Sequence, residues 1–300
     1  MTTRVNLETF INTAIINTQQ SMSNLHKLQE QISTGKKINR PSDEPAGARN
    51  ILRLRTEHFR LDQYASNIQT SKQSLDFSAS VLQNTSDILQ RITELTMHGV
   101  SASADQDGRN KIASEINQLL ESVLQEANSS LSGRYIFSGT KTTTLPFETI
   151  RNSDGQISEV NYKGNRGKIE YRIGPNTDIT VNQPGDEVFI DSGLFSSVIK
   201  IRDALTGGTV SLATDQLNNL DNASKNILNS MAKAGSVSST LELVDNKVAD
   251  TKLSLQNILS STESADLTEL VLRLREQENI FQASLASGAL VFKTSILDYL

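Results

Sequence analysis

The chain has 300 residues and lacks cysteine and tryptophan altogether. Without cysteine, disulfides and thiolate metal sites are excluded. No run of eighteen apolar residues occurs, so no segment reads as a membrane-spanning helix. The opening stretch Met1-Thr2-Thr3-Arg4-Val5-Asn6-Leu7-Glu8 lacks the apolar core of a secretory signal. The expectation is a cytosolic chain, or one that leaves the cell without a cleaved signal. Positive charge is not in excess: the net charge is −5. That argues against a generic binder of nucleic acid or anionic membrane.

Catalytic patterns are missing as well. His26, His58 and His98 are the only histidines. No HExxH or clustered His/Asp/Glu spacing joins them, and His58 falls in a helical seam where packing is the simpler role. There is no Gly-x-Ser-x-Gly elbow and no P-loop, and the serines are scattered over helical faces. The reading is of a chain with no catalytic residue, metal or cofactor.

What is present is helical periodicity. Asp266 to Leu300 reads as one amphipathic helix without proline, with Asp266 as N-cap and Glu269 at the capping-box position. Val271, Leu274, Phe281, Leu285, Phe292 and Tyr299 recur at three–four spacing, with Glu278, Gly288 and Ser295 in the same register. The N-terminal third answers with Ile11, Ala14, Thr18, Ser21, Leu25, Leu28 and Ile32 on a helix from about Thr9 to Thr34, stopped at Gly35. These two terminal helices are expected to pair. Their pair leaves one apolar side open, so Ile11, Leu25, Leu28, Ile32, Val271, Leu274, Phe281, Leu285, Phe292 and Tyr299 are the expected assembly interface.

Between the ends, a polar connector with Pro41 and Pro45 leads from Ser42 into a second helix. Its stripe, Ile51, Leu54, His58, Leu61, Ala65, Ile68, Lys72, Leu75, Ala79, Leu82, Ser86 and Leu89, keeps the heptad, and Ile92 and Leu95 extend it towards Gly99. A third helix carries Ile112, Ile116, Leu119, Val123, Ala127 and Leu131, ending at Gly133. The period then changes to two: Tyr135-Ile136-Phe137, Ile169-Tyr171-Ile173, Ile179-Val181 and Val188-Phe189-Ile190 read as strands separated by turns. Helix returns at Leu194–Leu205, and a long helix follows with Leu217, Leu220, Ile227, Met231, Ala234, Leu241, Val248, Leu255 and Leu259 in its stripe.

The fold class expected is mainly α: a long antiparallel helical bundle with coiled-coil termini and a small inserted antiparallel β domain. The division expected is 1–40 with 264–300 as paired terminal helices, 41–133 with 194–263 as the long-helix bundle, and 134–193 as the β domain. With its boundaries close together, the β domain is expected to be dispensable for helical folding. Arg49, Arg53, Arg55 and Arg60 form a basic cluster, read either as a solvated, ion-paired helix face or as a charged subunit contact.

Three stretches carry a family likeness. Ile32-Ser33-Thr34-Gly35-Lys36-Lys37-Ile38-Asn39-Arg40-Pro41-Ser42-Asp43-Glu44-Pro45-Ala46-Gly47 resembles the segment that ends the first helix in bacterial flagellins and their relatives. Arg134-Tyr135-Ile136-Phe137-Ser138-Gly139 resembles the exit from the helical domain in the hook–filament junction branch of that superfamily, and the ending from Phe281 to Leu300 is similar to that branch too. The resemblance implies a subunit of a helical tube outside the cell, exported as a largely unfolded chain through the flagellar type III channel. It implies terminal helices that line the inner tube. The partners implied are further copies of itself in a ring, the first hook–filament junction protein, flagellin and an export chaperone. Nucleic acid and membrane insertion are not among them. A short flagellin, a soluble coiled-coil scaffold and an enzyme borne on the β domain are the alternatives.

Overall fold

A computed structural model of the chain describes residues 2–101 and 105–297, with side chains for residue 9, residues 11–101 and residues 105–289. Helix dominates: α1 Thr2–Thr34, α2 Pro45–Gly99, α3 Gln106–Ala127, α4 Leu194–Thr206, α5 Val210–Glu263 and α6 Leu267–Leu297. The mainly-α class with a small β region is as expected. Gly35 adopts φ +67°, the left-handed conformation that stops α1 at the expected residue. Asp266 caps α6, its Oδ1 accepting from Thr268 N at 2.8 Å and Glu269 N at 3.2 Å.

The β region holds three separate two-stranded hairpins rather than one sheet. They are β1 Ser130–Leu131 with β2 Arg134–Tyr135, β3 Phe147–Arg151 with β4 Ile157–Tyr162, and β5 Glu170–Gly174 with β6 Thr177–Thr180, each antiparallel. Two expected elements differ. The third helix stops at Ala127 and Leu131 lies in β1, because Asn128 gives its side chain to both backbone groups of Phe147, at 2.9 and 3.0 Å. Val188-Phe189-Ile190, read as a strand, lies in a turn of π-helix, Asp186–Ile190. A short apolar run does not reveal by its period whether it is strand or helix. Here Asn226 of α5 donates to the carbonyls of Glu187 and Val188, at 2.9 and 3.1 Å, and so holds the turn.

The chain divides into two compact units, residues 1–60 with 251–300, and residues 61–250. The boundaries fall inside α2 and α5 rather than at helix ends. In the second unit one apolar core takes Leu82, Leu89 and Ile92 from α2, Ile116 and Leu120 from α3, and Leu220 and Ile227 from α5. The hairpins and the π turn supply Phe137, Phe147, Ile157 and Phe189 to that same core. The Phe147 ring lies 5.5 Å from Phe189 and 5.6 Å from Phe195 by centroids, and Phe137 meets Phe189 edge-on at 5.1 Å. This packing argues against the expectation that the β region is dispensable: its aromatic residues lie in the core shared with the helices. Buried Thr85 and Thr96 return their hydroxyls to the carbonyls of Val81 and Ile92, so these polar groups are satisfied inside the core.

The first unit is built from the α1·α6 pair and a joint. At the joint, Lys37 N donates to Glu263 O at 2.7 Å, Ala265 N donates to Gly35 O at 3.0 Å, and Lys36 bridges to Ser264. Ile38, Ala48 and Ile51 are buried beside it, with Leu259 packed against them.

Candidate functional site

Helices α1 and α6 run antiparallel along a narrow seam. On α1, Ile11, Ala14, Thr18, Leu25, Leu28 and Ile32 are half-buried and Ser21 is buried, which is the three–four pattern read from the sequence. On α6 the covered positions are Leu270, Leu274, Gln277, Phe281, Ser284 and Gly288. Gln277 Nε2 donates to Ser21 Oγ at 2.8 Å. A polar pair inside an apolar seam fixes which residues face each other.

Two of the expected α6 positions lie elsewhere. Val271 and Leu285 are 40 % and 49 % exposed, so they lie at the margin of the seam and not inside it. Apolar residues stand side by side at 270 and 271, and the three–four rhythm fits either phase. Leu285 loses its place to Ser284, which no hydrophobic pattern would select. Phe292 lies on α6, but its side chain is outside the described residues, as is Tyr299 altogether.

Small residues leave the seam under-filled. A Cβ placed on Gly288 would meet nothing within 4 Å. Grooves of about 400 and about 370 Å³ open on the two sides of Ala14, Ser284 and Gly288. The first adds Thr13, Asn17 and Ser287, and is the more polar. The second is flanked by Ile15 and Leu285. Val271, Glu278 and Leu285 stand one heptad apart on α6, as Ile15 and Met22 do on α1, and the four apolar members of these two stripes are exposed. The pair thus has an inner seam for itself and an outer apolar stripe that is uncovered among the described residues. Sequence reasoning merged the two on α6 and missed Ile15 and Met22.

The joint beside this pair is held by charge. Buried Glu263 takes Lys36 and Arg55, the latter at 2.7 Å. Burial raises its pKa, but hydrogen bonds and charge from Lys36 and Arg55 outweigh that and leave it below the ordinary 4.5. Asp43 behaves alike: burial raises it, and the Arg40 and Asn39 amides with Lys27 bring it below 3.8. A carboxyl with a depressed folded pKa contributes stability that is full above its ordinary value and is lost as pH falls through the folded value. Loosening of the joint is therefore expected below about pH 4.5, read as faster proteolysis around residues 35–45. Glu263→Gln removes one carboxyl from that step. An acid transition unchanged in this variant would assign the step to other groups.

Of the basic cluster, Arg55 serves the joint, Arg60 pairs with Glu57 on its own helix, and Arg53 donates to Asn50. Among the described residues no group of three His, Cys, Asp or Glu is placed to hold a metal.

A family model described as the bacterial flagellin N-terminal helical region matches residues 5–142. Flagellar hook-associated protein 3 of Escherichia coli (strain K12) is 25 % identical over 86 % of this chain and 87 % of its own length. Its namesake in Salmonella typhimurium is 24 % identical with the same coverage. A filament core protein of Treponema maltophilum is 29 % identical, over 54 % of this chain and 50 % of its own. Among solved structures, FlgL of Xanthomonas campestris superposes with TM-score 0.60 at 17 % identity, over 67 % of this chain and 98 % of that one. The flagellar junction protein FlgL of Legionella pneumophila gives 0.58 at 16 % identity, over 73 % and 100 %. Sequence likeness along most of both chains makes this chain a homologue of flagellar hook-associated protein 3, and its fold is that of the solved FlgL structures.

Proposed function

We propose that the chain is a structural subunit of the bacterial flagellum, set at the hook–filament junction and acting by packing rather than chemistry. The observation that carries this is the α1·α6 pair with its under-filled seam and exposed apolar stripe, on a chain homologous to junction proteins. Protein interiors are close-packed. A seam that stays open along a helical pair is completed by helices from neighbouring copies. In this reading 1–40 and 264–300 form the assembly domain, 41–133 and 194–263 the long-helix bundle, and 134–193 a β region whose side chains complete the bundle core. Further copies in a ring, the first junction protein, flagellin and an export chaperone are the partners. The chain works outside the cell, and it catalyses no reaction.

A filament subunit is the less supported reading: the filament protein above matches about half of the chain, against most of it for the two hook-associated proteins. Immunogold labelling of purified flagella separates the two. One patch of label beside the hook is the expected result, and label along the whole filament would replace the junction with a flagellin role.

A further inference from the structure

On α2, Arg49, Leu52, Arg53, Phe59 and Arg60 are all exposed and recur at the spacing that places them on one strip of the helix. Phe59 is 72 % exposed and Leu52, one heptad earlier, 58 %. A lone exposed leucine is ordinary, but an exposed phenylalanine aligned with a leucine and framed by arginines is the composition of a contact surface. Arg53 bonds only to the neutral amide of Asn50, and among the described residues neither Arg49 nor Arg53 has a carboxylate partner.

The complementary chemistry is on α5. Glu242, Leu243 and Asp250 are exposed, and Leu243 matches Phe59 at 72 %. Leu243 and Asp250 also stand one heptad apart. Each strip is solvent-facing in the single chain. The α2 strip is basic and aromatic, and the α5 strip is acidic at Glu242 and Asp250 and aliphatic at Leu243, with Lys247 between Leu243 and Asp250.

We propose that the two strips meet between neighbouring copies, with Leu52 and Phe59 of one chain packed against Leu243 of the next and Arg49 and Arg53 facing Glu242 and Asp250. Because the two surfaces differ, the contact is heterologous. Such a contact propagates around a ring or helix and does not stop at a closed pair. This deepens, and rests on, the reading of the chain as a subunit of a flagellar ring. It adds a second contact, away from the α1·α6 pair, whose charges select the register of approach.

The absence of native cysteine makes the contact directly testable. Phe59→Cys and Leu243→Cys are placed together in one full-length chain, and flagella from cells carrying it are oxidised and run without reductant. A disulfide needs Cα atoms within about 7 Å, so only a true contact reacts. The expected result is a ladder of covalent multiples of this chain, with none from either single variant. No ladder, dimers from a single variant, or a band joining this chain to a different protein would each overturn the proposal. A second measurement covers loss of incorporation. Arg53→Glu should lower the protein retained on flagella by roughly tenfold, and Asp250→Arg in the same chain should restore it. A double variant as poor as the single one overturns the pairing, and wild-type melting of the purified variants excludes misfolding as the cause. Immunogold label along the filament together with the ladder would remove the junction reading and leave this contact standing.

Discussion

Replacing Leu285 by aspartate is expected to abolish assembly and to leave the isolated protein unchanged. Leu285 is 49 % exposed in the single chain and lies outside the α1·α6 seam. A substitution at such a surface position moves stability by about 0.5 kcal/mol or less. In the proposed assembly the same side chain is covered by a neighbouring copy at the apolar groove it shares with Ile15. Burying a leucine contributes about 1.5–3 kcal/mol. Its replacement leaves an unpaired carboxylate in an apolar contact, which costs more again. The loss recurs at every copy, so incorporation fails. Thermal melting of the purified variant should match wild type, while cells carrying it fail to retain filaments and shed flagellin into the medium. Val271→Asp should behave in the same way. So should Phe292→Asp, since Phe292 stands one heptad beyond Leu285 on α6 in the sequence. Phe281→Asp is the contrast: Phe281 is half-buried in the seam, so that variant should weaken the pair in the free protein too. Normal filaments with Leu285→Asp would show that the outer stripe is not the assembly surface.

Replacing residues 140–190 by a short flexible linker is expected to destroy the cooperative fold of the second unit. The segment carries Phe147, Ile157 and Phe189, all buried in the core shared by α2, α3, α4 and α5. Removing one buried phenylalanine costs about 3–5 kcal/mol. Losing two, together with an isoleucine, approaches the whole stability of an ordinary domain, about 5–15 kcal/mol. Gln183 is lost as well, and with it the bond to the Ser230 carbonyl of α5 at 2.8 Å. The measurement is far-UV circular dichroism against temperature. A broad slope without a transition is the expected trace, and a sharp transition like that of the intact chain would make the β region a dispensable insert after all.

The sequence by itself determined the helices. The heptads through Ile51, Leu61, Ile68, Leu75 and Leu82, and through Leu220, Ile227, Ala234, Leu241 and Val248, mark residues that are buried along α2 and α5. A one-sided apolar stripe at helical period has one way to be covered, so the pattern alone fixes the buried face. The α1 half of the terminal pair was legible for the same reason. So were the stop at Gly35 and the cap at Asp266, which depend on local backbone chemistry. Tertiary structure decided the rest. Whether α6 turns Leu270 or Val271 towards α1 depends on the partner helix and on the Gln277–Ser21 bond. That phase separates the inner seam from the exposed outer stripe. The role of Glu263 was hidden because its cations, Lys36 and Arg55, lie over two hundred residues away in the chain. The turn at Val188-Phe189-Ile190 and the fusion of hairpins and helices into one core follow from contacts with α3 and α5. Periodicity reports which face of an element is apolar, and only packing decides what covers it.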